Sequence, residues 1–181
     1  FPLTINNQFS SAEGGYTDKL EKALLISTGY NKNLVELIEL FKTKNIELDY
    51  YNLDSAPGPV TPELLSQYQL IIGDEARAVY AMSMGLPVVI SDGISSHGYL
   101  TEANLLERTD YHFALTGASK IVNQNRWVKE ILDGYPQAAR WAWEYQAEAN
   151  AQFSLDTCVG KILDRLPAPK KLQISQEQYS N

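Results

Sequence analysis

Short apolar runs alternate along this chain with stretches whose apolar residues recur every three or four positions. Ala23–Ser27 (ALLIS), Leu70–Ile72 and Pro87–Ser91 (PVVIS) are runs of the kind found in strands covered on both faces. Ile46–Leu53 alternates at Ile46, Leu48 and Tyr50 and predicts a further strand. Between them, Asn33 precedes Leu34, Val35, Leu37, Ile38, Leu40 and Phe41 at helical spacing. Thr61-Pro62-Glu63 opens a short helix, with proline at the first helical position. Glu75–Met84 reads as a helix stopped by Gly85. Asp92–Tyr99 reads as a turn-rich loop, Thr101-Glu102 as a helix start and Tyr111–Leu115 as a last short strand. Ser119–Asp133, Pro136–Phe153 and Ser154–Leu166 read as three closing helices.

Strands alternating with helices predict an α/β fold: a doubly wound, Rossmann-like parallel sheet with helices on both faces. Residues 21–166 are expected to form that domain, with 1–20 as a linker or entry segment and 167–181 as a mobile polar tail. Sheets of this class bind ligands in the crevice at the carboxyl ends of their strands. The loops to watch are therefore Thr28–Asn33, Gly73–Arg77 and Asp92–Thr101.

Composition narrows the field. Among 181 residues, 15 are basic and 22 acidic, for a formal net charge of −7. That balance argues against a broad face for nucleic acid or anionic lipid, and still allows a local basic pocket for phosphate. One cysteine, Cys158, forms no intramolecular disulfide, and with His97 and His112 it does not make a tetrahedral soft-ligand zinc site. No apolar run approaches the length of a membrane span, and an intracellular, cytoplasmic setting is the expectation.

The candidate chemistry is anion binding. Gly73-Asp74-Glu75-Ala76-Arg77 joins a strand end to a helix start, where free amides and the helix dipole favour an anion. Gly73 allows close backbone approach, and Arg77 offers a bidentate guanidinium. Such turns also occur in every parallel α/β fold, where Asp74 and Glu75 simply favour the dipole. Gly93, Ser95, Ser96, His97 and Gly98 lie in a permissive polar loop after a central strand, suited to wrapping a ligand or to serving as an ordinary surface loop. Lys32, beside Gly29 past the first strand, is a point charge for phosphate or a solvated lysine. His112, between Tyr111 and Phe113, reads as a core histidine, and Trp127, Trp141 and Trp143 as packing residues. The chain has no P-loop, nucleophile elbow, H-E-x-x-H or G-x-G-x-x-G.

Arg77 to Asn104 then resembles a known family. Tyr80-Ala81-Met82-Ser83-Met84-Gly85-Leu86-Pro87-Val88-Val89 is similar to the E-A-M-A-x-G-x-P-V block in the carboxyl-terminal half of family 4 GT-B glycosyltransferases. Gly98-Tyr99-Leu100-Thr101-Glu102-Ala103-Asn104 resembles their G-x-x-T-P-E-N, His112-Phe113-Ala114 their N-F-S-like segment, and Phe153-Ser154-Leu155-Asp156 their closing helix. The resemblance implies a nucleotide-sugar donor-binding domain, one half of a GT-B fold. It places Lys32 at a diphosphate-binding lysine and Asp92–Gly98 at a loop facing the diphosphate and sugar. The two glutamates of the family's E-x7-E pattern fall at Ile72 and Tyr80, leaving Glu75 or Arg77 to compensate for the ribose contact.

The implied partners are a nucleotide diphosphate sugar, as substrate and not cofactor, and an amino-terminal acceptor-binding domain of the same parent chain. No metal or other cofactor is implied, and no catalytic residue is identified. Domain size predicts that this half alone does not turn over donor. The alternative is a non-catalytic GT-B-like scaffolding domain, favoured by Tyr80 and Ile72. A receiver-like module would place clustered aspartates where Ser27-Thr28-Gly29 stands.

Overall fold

The computed structural model of the chain describes residues 16–28, 33–56, 58–110, 112–115, 120–121 and 123–164. Strands β1 (Lys22–Ser27), β2 (Glu47–Asn52), β3 (Leu70–Gly73), β4 (Val88–Ser91), β5 (Ser95–Tyr99) and the two-residue β6 (Lys120–Ile121) form one mixed sheet in the order β2-β1-β3-β4-β5-β6. The first four strands of that order are mutually parallel, and the last two pairings are antiparallel.

The apolar runs have the cause the sequence implies. Leu24, Ile26, Ile71, Val88 and Ile90 point to one face, where they meet Leu65 of α2 (Pro62–Leu65) and Ala78, Val79, Ala81 and Met82 of α3 (Glu75–Ser83). Their neighbours Ala23, Leu25, Leu70, Ile72 and Val89 point to the other face, against Leu37 and Phe41 of α1 (Leu34–Lys42). Both faces of the central strands are covered, so no polar alternation survives. The short α4 (Leu105–Asp110) follows β5, and α5 (Gln124–Phe153) and α6 (Leu155–Leu163) close the described chain.

Three expectations are corrected. Asp92–Tyr99 is not simply a loop: after a tight turn the chain folds back as β5, antiparallel to β4, so the sheet is mixed and not wholly parallel. Of the strand expected over Tyr111–Leu115, the described residues 112–115 are not a strand; they make a turn in which His112 and Phe113 have φ of 52° and 57°, and His112 is exposed, not in the core. The helices expected at Ser119–Asp133 and Pro136–Phe153 are one 30-residue helix, α5, with Pro136 inside it. Its beginning is displaced because Lys120 and Ile121 pair with Ser95 and Ser96 as β6. The linker expected over residues 1–20 falls mostly, and the tail over 167–181 wholly, outside the described residues. No helix among the described residues is long and apolar enough to cross a membrane.

Candidate functional site at the carboxyl edge

The parallel strands set up the candidate site. The chain leaves β1 for α1 on one face and leaves β3 for α3 on the other, although β1 and β3 are hydrogen-bonded neighbours. Strand order reverses between them, and connections that part to opposite faces open a crevice at the carboxyl edge. Two of the loops singled out from sequence flank this point. Gly29 and Lys32, in the first of them, lie outside the described residues.

Gly73 ends β3, and its lack of a side chain has a structural cause. A Cβ there would sit 3.2 Å from Arg77 Cβ and 3.4 Å from the Ile26 carbonyl oxygen. The first turn of α3 therefore packs directly over the strand end. Arg77 folds back across this turn: one terminal nitrogen donates to Asp74 Oδ1, and Nη1 lies 3.7 Å from Glu75 Oε2. Its side chain is 16% exposed, and its buried Nε has no partner among the described residues. Arg77 thus stands at the carboxyl edge of β3 with two carboxylates already around it.

The backbone beside it is strained. Glu75 has φ of 46°, and its N–H donates to the Phe113 carbonyl at 3.1 Å. Phe113, itself at positive φ next to His112, donates its N–H to the Arg108 carbonyl at 2.7 Å. Its ring is buried edge-on against Phe153 with centroids 5.9 Å apart. Three non-glycine residues in the left-handed region cost about 1–3 kcal/mol each, and such strain concentrates at functional sites. Sequence reasoning missed this arrangement, because nothing in Tyr-His-Phe signals a left-handed backbone.

The β4–β5 turn brings Gly93, Ser95 and Ser96 to the same edge and satisfies most of its own polar groups. Asp92 Oδ1 accepts from the Ile94 and Ser95 amides at 2.8 and 2.7 Å. Ser91 Oγ donates to the Ser95 carbonyl at 2.6 Å and accepts from the Gly93 amide at 3.0 Å. Ser96 Oγ donates to the Ile90 carbonyl and accepts from the Gly98 amide at 2.9 Å. Gly93 and Gly98 have φ of 84° and 78°, which glycine adopts at little cost. His97 is half-buried at the register shift between the Ser91–Ser96 and Ile90–Gly98 pairs. The amides and hydroxyls of the loop expected to wrap a ligand are thus largely engaged within the hairpin.

Tyr80 lies in the second turn of α3, half-buried against the core on that face, and Ile72 is fully buried in β3. Neither position of the family's glutamate pair presents a carboxylate. Two open hollows lie outside the three crevice loops. One of about 350 Å³ is lined by Leu40, Lys44, Val128 and Lys129 among others. The other, of about 380 Å³, is lined by Glu102, Leu105, Trp141, Glu144, Tyr145 and Glu148, and its three carboxylates oppose an anion.

A further polar residue, unmarked in the sequence reading, stands at the same edge. β6 returns parallel to β4 through two antiparallel steps, so α5 begins at the carboxyl edge with Gln124. Its position was obscured because residues from Ser119 onward read as helix. Comparison of the chain with protein-family models, with curated proteins and with solved structures returned no match.

Proposed function

We propose that this chain is the nucleotide-sugar donor-binding half of a GT-B-type glycosyltransferase, holding the donor at the carboxyl edge between β1 and β3. The observation that carries the reading is the strand-order reversal between those two strands, flanked by Gly73–Arg77. The resemblance at Tyr80–Val89 and Gly98–Asn104 supplies the substrate class. In glycosyl transfer, negative charge grows on the departing nucleotide diphosphate. Lys32, Arg77 and those amides at the start of α3 that are not already bonded, as Glu75's is to Phe113 and Arg77's to Asp74, are the groups of this chain suited to stabilising it. The acceptor side belongs to a second domain of the parent chain, so isolated turnover is not expected.

A specific observation favours a second reading. Arg77 is held by Asp74 and Glu75, and the Asp92–Gly98 amides are largely used within their own hairpin. A site of this kind that binds no donor fits a non-catalytic scaffolding domain. Calorimetric titration of the chain with UDP, GDP and ADP and their sugar esters separates the two. The donor reading expects saturable binding to at least one, with amide shifts at Gly73–Arg77 and Asp92–Gly98. No heat and no shifts at millimolar ligand would leave the scaffolding reading.

A further inference from the structure

Gln124, the first residue of α5, ties two helix starts together across the carboxyl edge. Its Nε2 donates to the carbonyl oxygen of Asn33, the N-cap of α1, at 3.3 Å. That bond fixes the amide's orientation, because a carbonyl oxygen accepts only. The Gln124 side chain is therefore held with Oε1 as the remaining acceptor. Gln124 is 9% exposed, and Oε1 is buried with no hydrogen-bond partner among the described residues.

One turn on, Trp127 is 3% exposed, and its indole Nε1 is likewise buried without a partner among the described residues. Positions three apart share a helix face. One face at the start of α5 thus carries an unsatisfied acceptor and an unsatisfied donor. Buried polar groups are nearly always paired, and an exception calls for a cause. A phosphate oxygen takes hydrogen bonds and gives none, whereas an ammonium gives and takes none. A hydroxyl does both.

We infer that Gln124 is a specificity-determining residue, whose Oε1 accepts a hydrogen bond from a hydroxyl group of the bound ligand while the Trp127 indole donates to the same polar group. The inference rests on the reading of this edge as the ligand edge. It adds that the ligand is recognised through a hydroxyl-bearing ring as well as through its charge. The hydroxyl belongs either to the ribose of a nucleotide or to the transferred sugar.

The experiment follows the Trp127 indole N–H and Gln124 side-chain amide resonances of the whole chain. The probes are UDP, GDP, ADP, their 2′-deoxy forms, their glucose esters, and ribose and glucose alone. The expected result is a shift of the Trp127 indole with one hydroxyl-bearing probe and an affinity about tenfold lower in Gln124→Met, the size of one net hydrogen bond. Backbone amide resonances of α1 and α5 that keep their positions in ligand-free Gln124→Met show that the edge still folds without the bond to Asn33. A preference for ribose over deoxyribose that disappears in Gln124→Met assigns the contact to ribose. A preference for the glucose ester that disappears assigns it to the sugar. Nucleotide binding with no change at Trp127, or equal affinity in Gln124→Met, overturns the inference and leaves the donor reading standing. If no nucleotide binds, the donor reading falls. A Trp127 shift with free ribose or glucose, lost in Gln124→Met, then sustains the inference, and its absence overturns it.

Discussion

Arg77 meets Asp74 and Glu75 before it meets any ligand, and that sets what it can add. A diphosphate must draw the guanidinium from carboxylates that already neutralise it, so its contribution is smaller than that of an isolated arginine. Arg77→Ala or Lys32→Ala is expected to weaken UDP, GDP or ADP binding by about tenfold while leaving the matching nucleoside within about twofold. Calorimetric titration with each pair checks this, and equal loss for diphosphate and nucleoside removes both residues from the phosphate role. Single residues were the least legible part of the sequence. Gly73 was expected to let a phosphate approach the backbone; what approaches it among the described residues is the Arg77 stem and the Ile26 carbonyl. Ser95, Ser96 and Asp92 looked available for a ligand because a sequence lists donors and acceptors without saying which ones find each other. The Asp92 carboxylate and the Ser96 hydroxyl satisfy the hairpin instead.

Elements were legible where burial on both faces removed ambiguity. β1, β3 and β4 are continuous apolar runs because alternate side chains enter two separate cores. β5 was hidden because Ser-Ser-His-Gly-Tyr has little intrinsic strand preference; its pairing with β4 and the bulge at their register shift decide its conformation. The expected helices at Ser119–Asp133 and Pro136–Phe153 left a gap at Gly134-Tyr135, where glycine and the following proline disfavour a continuous helix. Tertiary contacts override that signal. Tyr99 donates to the Ile131 carbonyl at 3.0 Å, its ring packs where Gly134 has no side chain, and Trp127, Val128, Ile131 and Tyr135 are buried. The amino end of this helix is fixed by Asn123, whose Oδ1 accepts from the Arg126 amide at 3.1 Å. Asn123→Ala is expected to cost about 1 kcal/mol, read as a lower urea midpoint at unchanged slope. The exposed Asn125→Ala is the control and should change little. Equal effects would mean that the cap does not set the start of α5.

At the scale of the whole molecule, α5 joins the two cores. Its first half packs with α1 against one face of the sheet, and Ala149 and Phe153 pack with α3 against the other. Gln146 and Asn150 both donate to the Ser83 carbonyl, at 3.2 and 3.0 Å, tying α5 to the last residue of α3. Loss of either face should therefore be felt by both, and phenol titration offers a way to apply that load without mutation. Burial, reinforced by the phenol's hydrogen bond to Asp49 Oδ2 at 2.8 Å, pushes Tyr68 up to about 12. Burial, with Asp18 adding to it, pushes Tyr135 up to about 12, and burial with Tyr135 nearby raises Tyr99 further. Unfolded tyrosine ionises near 10, so above that pH the unfolded chain releases these protons first. The stabilisation is complete below about 10 and is lost as pH climbs through about 12. Tyr68 lies on the α2–α3 side of the sheet, whereas Tyr135 packs on the α1 side. Thermal unfolding should accordingly fall steeply between pH 10 and 12 as one transition, by circular dichroism and by tryptophan fluorescence alike. Tyr68→Phe and Tyr135→Phe should each flatten the decline, because each removes one phenol that the folded state keeps protonated. A wild-type decline that neither variant changes would place the alkaline instability elsewhere. Two separated transitions would show that α5 does not couple the faces.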